Sequence, residues 1–248
     1  MQHYFVPLDR WTQEEVTITG DDVHHIVRVM RMNIDDEFYC NRPDGKVAFC
    51  KITAIQDDTV IAQILHWSET NVEMPANITI AQAFPKGDKL DLIMQKGTEL
   101  GAASFLLFEG ERSIVKWDQK KVDKKLQRYN KIVKEAAEQS HRSLLPTITV
   151  LSNFAELSQV TFDHKFVAYE ETTRSMTSKR LQEVFKQIQP GERVLICIGP
   201  EGGFSEKEID LLKQHEFQCI RLGPRILRTE TAGLYALASL SYHLEETE

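Results

Sequence analysis

Two segments of this chain share a pattern that could hold a ligand. In the first, 194–209 (VLICIGPEGGFSEKEI), a fully apolar run enters Gly199-Pro200-Glu201-Gly202-Gly203 and a helix-forming stretch begins at once. Ser205 and Glu208 have the S-x-x-E spacing of a capping box. Glycines let a ligand approach the backbone, and in open α/β sheets ligands bind beyond the carboxyl ends of the strands. The loop is not a Walker A motif, because no Gly-Lys-Ser/Thr follows, and Pro200 interrupts any G-x-G-x-x-G. Taken alone, it reads equally well as a tight structural turn.

The second, 222–232 (LGPRILRTETA), runs into the small, apolar stretch GLYALASLSYHL. Arg225, Arg228 and Glu230 cluster ahead of the predicted helix, and Thr229 or Thr231 could supply its N-cap. A solvated loop is the plainer reading. A repeat of Gly-Pro after two successive predicted strands favours one shared pocket instead.

Positive charge lies elsewhere. Lys86 and Lys89 occupy a predicted βα loop (FPKGDK, 84–89), where they could meet phosphate oxygens or be ordinary surface lysines. Lys120, Lys121, Lys124, Lys125, Arg128, Lys131 and Lys134 recur at helical spacing between 116 and 142. Such a stripe could lie along a phosphate backbone or be a solvated face. The helix closes with the polar cluster EQSHR, 138–142. His24 and His25 are adjacent, about 100° apart on a helix, and so do not form an i, i+4 metal pair. No metal site is expected.

The elements that must position these residues fall into two groups. Up to about residue 70 the chain reads as short strands and turns: EVTIT (15–19), a helix over 21–30, FYCNR, KVAFCKITAI and TVIAQILHW. This pattern predicts a small antiparallel barrel. The polar segment 69–77, with Pro75, marks a boundary. From 78 onward strands alternate with helices. Strands are predicted at 78–84, 104–109, 165–170, 193–199 and 218–223, and helices after Asp88, over 118–140, and near 176–188, 205–216 and 231–244. The helix after Asp88 places Leu90, Ile93, Met94, Gly97 and Leu100 on one face, with Asp88 as its cap and Gly101 as its stop. Alternation of this kind predicts an α/β domain with a mostly parallel sheet covered on both faces.

Composition narrows the function classes. Of 248 residues, 42% are hydrophobic and 27% charged, a balance that supports a real core. No run reaches the roughly 18 apolar residues of a membrane span, and MQHYFVPLDRW lacks the basic-then-apolar pattern of a signal peptide. Four scattered cysteines without C-x-x-C argue against a disulfide framework or a zinc site. A cytoplasmic location is expected. The net charge of −7 divides unevenly: −7 over 1–74, +4 over 75–150 and −4 over 151–248. A local basic face is what a polyanion senses within about 8–10 Å, so the overall sign does not exclude RNA.

Together, IGPEGGFSEKEI, LGPRILRTETA, KGDKLDLIMQKGTELG, EQSHR and the N-terminal HHIVRVMRM resemble the SPOUT, or trefoil-knot, RNA methyltransferases. More narrowly, they resemble the family that methylates N3 of a uridine in 16S (small-subunit) ribosomal RNA. One departure is Ser140-His141, where a cysteine and a glycine would be expected between Gln139 and Arg142. The resemblance implies a PUA-like β-barrel for RNA docking at 1–72 and a knotted SPOUT-type α/β domain over 75–248. It also implies S-adenosyl-L-methionine as cofactor, a homodimer, and small-subunit ribosomal RNA, within the assembled 30S subunit, as partner.

Carried over motif by motif, Ile198, Gly199, Pro200, Glu201 and Gly203 would line one side of the cofactor. Leu222, Gly223, Leu227, Arg228, Thr229, Thr231 and Ala232 would line the other. Removing the uracil N3 proton places negative charge on the flanking carbonyl oxygens. Arg228 is expected to stabilise that charge, and Glu201 or Glu230 to assist proton removal. Arg28, Arg31, Lys86, Lys89, Arg112 and Arg142 are the expected RNA contacts. A non-catalytic RNA-binding module, a SPOUT enzyme acting on another RNA, and a nucleotide-dependent phosphotransferase are the competing readings. The last lacks a P-loop lysine.

Overall fold

The computed structural model describes residues 1–117, 119–169 and 181–246, with the backbone alone at 119–121. Asp118, the side chains of Lys120 and Lys121, Glu170, and residues 176–180 of an expected helix lie outside the described residues. The chain forms two compact units. One is Met1–Glu73 with Ala137–Leu145, and the other is Met74–Ala136 with Pro146–Glu248. The segment Ala137–Leu145, expected with the second domain, therefore belongs to the first unit.

In the first unit, strands β1 (His3–Phe5), β2 (Glu15–Thr19), β3 (Glu37–Asn41), β4 (Val47–Gln56) and β5 (Thr59–Trp67) form one sheet in the order β1-β3-β4-β5-β2. Period-2 burial sets its inner face: Val16 and Ile18, Phe38 and Cys40, Ala48, Cys50 and Ile52, and Val60 and Ala62 pack with Tyr4 into one core. The sheet is not wholly antiparallel as expected, because β1 pairs parallel with β3. Three residues are too few to display an alternation in sequence. Helix α1 (Asp21–His24) does not continue as an α-helix to Met30. It passes into a π-helical turn, His25–Val29, closed by Met30 N–H donating to His25 O at 2.8 Å.

In the second unit six strands lie parallel, in the order β11-β9-β10-β6-β7-β8: β6 (Asn77–Ala83), β7 (Ser104–Phe108), β8 (Thr147–Val150), β9 (His164–Ala168), β10 (Arg193–Ile198) and β11 (Gln218–Ile220). Helices are α2 (Lys89–Glu99), α3 (Gln119–Gln139, of which the part up to Ala136 belongs to this unit), α4 (Phe154–Gln159), α5 (Leu181–Phe185), α6 (Glu206–Gln214) and α7 (Thr229–Glu245). β6 and β10 are buried after their first residues, and β10 is apolar after Arg193, because both of their faces are covered. Ile78, Ile80, Val194, Ile196 and Ile198 meet Leu90, Ile93 and Met94 of α2 and Ala236, Leu237 and Leu240 of α7. Ala81, Ala83, Leu195 and Cys197 point the other way, toward Ile209 and Leu212 of α6.

Register brings the carboxyl ends of β9, β10 and β6 together, with Ile198 opposite both Ala168 and Gln82. The loops that follow these strands therefore emerge on one rim. Among the described residues no helix is long and apolar enough to cross a membrane.

Candidate active site

That rim holds a cavity of about 680 Å³. Its floor is Ile198 and Ile220 at two strand ends, with Ala168 beside them. One wall is the loop Gly199, Pro200, Glu201, Gly202 and Gly203. The opposite wall is Leu222, Leu227, Arg228, Thr229 and Ala232. The two Gly-Pro loops thus form one pocket. Of the expected cofactor residues, Gly223 and Thr231 do not line it.

Local chemistry fixes the walls. Ser205 caps α6 and Glu208 reaches back to it, completing the capping box. Glu208 Oε1 also accepts from Glu111 N–H at 2.8 Å, and Ser205 Oγ donates to Glu111 Oε2 at 2.6 Å. The segment after β7 is thereby pinned against the glycine loop, and Arg112 donates to Gly202 O at 3.2 Å. The second wall is tied to the first by Thr229. Its hydroxyl donates to Gly199 O at 2.7 Å and accepts from Gln82 Nε2 at 2.9 Å. Thr229 is therefore a loop tie rather than a cap. Arg228 occupies the N-cap position of α7 and makes no side-chain capping bond. Asp88 likewise precedes α2 without capping it through its side chain.

Lys89, expected on RNA, joins the start of α2 to the glycine loop and to the start of α7. Its Nζ lies 2.7 Å from Glu201 Oε1 and 3.3 Å from Glu230 Oε2. Glu201 Oε1 also accepts from Lys86 N–H at 3.0 Å. Burial pushes the Glu201 carboxyl up, but Lys89 and the Lys86 amide outweigh it and hold the group below its ordinary value. The Glu201 bond, with help from Glu230, raises Lys89 above its ordinary value. Glu230 does not line the cavity, whereas Arg228 does, exposed and without an ion-pair partner among the described residues.

The remaining expected RNA contacts scatter. Lys86 and Arg112 are exposed in the second unit, and Arg28 and Arg31 in the first. Arg28 lines a hollow that it shares with Asp57 and Asp58, and Arg31 has a left-handed φ of 56°. Arg142 is a correction. Its side chain is 5% exposed and is ion-paired and hydrogen-bonded to Glu73, which also accepts from Ser143 N–H and Leu144 N–H. It is a buried structural cation, not a surface contact.

The basic stripe of α3 is also partly engaged by neighbouring side chains of the protein. Arg128 pairs with Asp91, and Lys125 Nζ stands 4.2 Å from the centroid of the Trp117 ring. Gln82, Glu111 and Arg112 complete the site, and sequence reasoning missed the parts played by the first two. Gln82 is a fully buried amide at the carboxyl end of β6, and a long polar side chain between two alanines of a core strand is its signal in the sequence.

Comparison with known proteins agrees with this geometry. Residues 72–241 match the RNA methyltransferase domain family, and residues 18–65 match the RNA methyltransferase PUA domain. The chain is 44% identical over 250 residues to the ribosomal RNA small subunit methyltransferase E of Bacillus subtilis, covering 99% of this chain and 98% of that one. It is 34% identical to the Synechocystis protein of the same name, covering 93% and 74%. The crystal structure of the Neisseria gonorrhoeae ribosomal RNA small subunit methyltransferase E, bound to S-adenosyl methionine, superposes with a TM-score of 0.85 at 28% identity over the whole of both chains. The SPOUT-type α/β fold and the PUA-like sheet expected from the motifs are both present. With two domain families matched in order and a relative this similar along its full length, the chain belongs to the RNA methyltransferase family of the ribosomal RNA small subunit methyltransferases E.

Proposed function

We propose that this protein transfers a methyl group from S-adenosyl-L-methionine to N3 of a uridine in 16S ribosomal RNA. The observation that carries the reading is the cavity shared by two Gly-Pro loops, with Arg228, unpaired among the described residues, on its wall. The residues present fit the cofactor. Gly203 has φ 68° and open space where a Cβ would stand, so its backbone faces the cavity unshielded. Backbone amides and carbonyls of such loops can read adenine and ribose, while Ile198, Ile220, Leu222 and Leu227 offer apolar contact.

The bound cofactor would supply a methyl group on a positively charged sulfur, an electrophile that needs no metal. The chain's own task is to hold uracil in line and manage one proton. N3 lies on the Watson–Crick edge, so the base must be unpaired or extruded to reach the cavity. As the proton leaves, charge grows on the flanking carbonyl oxygens, and Arg228, exposed on the cavity wall, would stabilise it through its guanidinium. Glu201 is held by Lys89 and the Lys86 amide with its pKa lowered, which suits a loop latch better than a base. Glu230 shares the same lysine. The proton then leaves to water at the cavity mouth.

The reading extends to a homodimer acting on the assembled 30S subunit in the cytoplasm, with the first unit docking the RNA. Tyr235 and Tyr242, 37% and 65% exposed and seven residues apart on α7, support a partner surface there. Sedimentation of the purified protein at twice the chain mass is the expected result, and a monomer at micromolar concentration would remove the dimer. For the activity, radiolabelled cofactor should label 16S RNA in small subunits from cells lacking the gene. Label confined to tRNA or to the large subunit would give the enzyme another target.

A further inference from the structure

The segment between β11 and α7 carries a feature that the cofactor cavity does not explain. Both its ends are fixed: Leu222 and Leu227 pack against the core, and Thr229 is tied to Gly199 and Gln82. Between these anchors Pro224, Arg225 and Ile226 stand exposed. Gly223 takes a left-handed φ of 82° and Pro224 has its φ fixed by its ring, so the tip is presented on a stiff support.

A lone exposed isoleucine on a protein surface needs no explanation. Ile226, however, is 70% exposed and lies at the mouth of the cavity, and its neighbour Arg225 lines the same mouth. Among the described residues Arg225 has no ion-pair or hydrogen-bond partner. The cavity also collects Lys89, Arg112 and Arg228 against Glu201 and Glu206, and Lys89 and Glu201 neutralise each other. Among the described residues, three arginines against one carboxylate remain, in a chain of net charge −7. That local excess suits a polyanion approaching the mouth.

We propose that the tip Pro224-Arg225-Ile226 captures the target nucleotide: Ile226 enters the base stack at the place the extruded uridine leaves, and Arg225 pairs with a phosphate oxygen beside it. This rests on the reading of the protein as an RNA base methyltransferase. Extruding a base leaves a gap between its neighbours, and a rigid apolar side chain fills such a gap as isoleucine, leucine and methionine do where proteins unstack a base step. The guanidinium of a phosphate-facing arginine fixes the register of the strand without reading its sequence.

The test uses the full-length protein, wild type and three variants (Arg225→Ala, Ile226→Ala, Ile226→Met), with small subunits lacking the modification. Wild-type transfer to these subunits reports on the functional reading, and the ratio of variant to wild type reports on the tip. Arg225→Ala is expected to weaken subunit binding about three- to tenfold and to reduce the slope of log affinity against log salt by about 0.7–0.9, the signature of one lost phosphate contact. Its affinity for S-adenosylmethionine alone should stay within about twofold of wild type. Ile226→Ala should lower kcat/KM for subunits about tenfold, and Ile226→Met should restore most of it. The proposal is overturned if both alanine variants bind and methylate subunits as wild type does. Loss of cofactor affinity in Arg225→Ala overturns it too, because the guanidinium then serves the cofactor's carboxylate. So does a change of oligomeric state in Ile226→Ala, which would make the tip a contact between copies of the chain.

Discussion

Lys89 Nζ stands 2.7 Å from Glu201 Oε1, and this one bond joins the segment after β6 to the glycine loop after β10. The same lysine lies 3.3 Å from Glu230 at the start of α7. A cation expected to contact RNA and two carboxylates expected to move a proton are thus engaged with one another.

A latch and a base respond differently to removal of charge. Glu201→Gln keeps an oxygen for the Lys86 amide, so the latch account expects kcat within about tenfold of wild type and a modest rise in KM for the cofactor. Loss of a general base would cost about 10²–10⁴ in kcat. Lys89→Met severs both pairs and should weaken cofactor binding a few-fold, in keeping with about 0.2–1 kcal/mol for a partly exposed pair. Steady-state kinetics with calorimetric cofactor titration separate these outcomes.

Arg228 is assigned to charge that exists only during the reaction. Arg228→Ala should therefore lower kcat by about 10²–10³ while the dissociation constant for S-adenosylmethionine changes little. Equal losses in cofactor affinity and kcat/KM would instead make Arg228 a binding residue.

In the first unit, Arg142 and Glu73 form a pair with side chains 5% and 13% exposed. Removing one partner strands a buried charge, so Arg142→Ala should destabilise the protein by about 3–5 kcal/mol in urea unfolding. Burial pushes the Glu73 carboxyl up, and Arg142 and two backbone amides outweigh it to leave its pKa lowered. Its share of stability is therefore present above the ordinary carboxylate pKa and is lost as pH falls below it.

His3 gives a second acid-sensitive window. Burial, against a hydrogen bond that its Nδ1–H donates to Asn41 Oδ1 and that works the other way, holds its imidazole down at about 4. Between the ordinary value of 6.5 and about 4 the unfolded chain binds the proton and the folded one does not, so stability falls as pH drops through that range. His3→Phe keeps a ring between Tyr39 and His141, which stack on it at 4.7 and 4.5 Å. The melting temperature of this variant should be flatter between pH 6.5 and 4 than that of wild type.

What the sequence makes legible is local. The capping box of Ser205 and Glu208, the strands Glu15–Thr19 and Thr59–Trp67, and the face of α2 carrying Leu90, Ile93, Met94 and Gly97 all stand where spacing placed them. Each depends on neighbours within a turn or a pleat. The misses are non-local. β1 exists because β3 offers an edge to a three-residue segment, and Arg142 is buried because Glu73, 69 residues away, waits for it. Likewise, Thr229 does not cap its helix because its hydroxyl donates to Gly199 O, 30 residues earlier. The two Gly-Pro loops were visible as a pair, but the lysine that latches them was not.

The atom that receives the methyl group defines the reaction. Small subunits from cells lacking the gene should be incubated with the purified protein and S-adenosylmethionine, and their 16S RNA digested to nucleosides for mass spectrometry. The expected product is 3-methyluridine, absent without enzyme and formed at least about a hundredfold more slowly with Arg228→Ala. A methyl group on the ribose, on uracil C5 or on another base would contradict it.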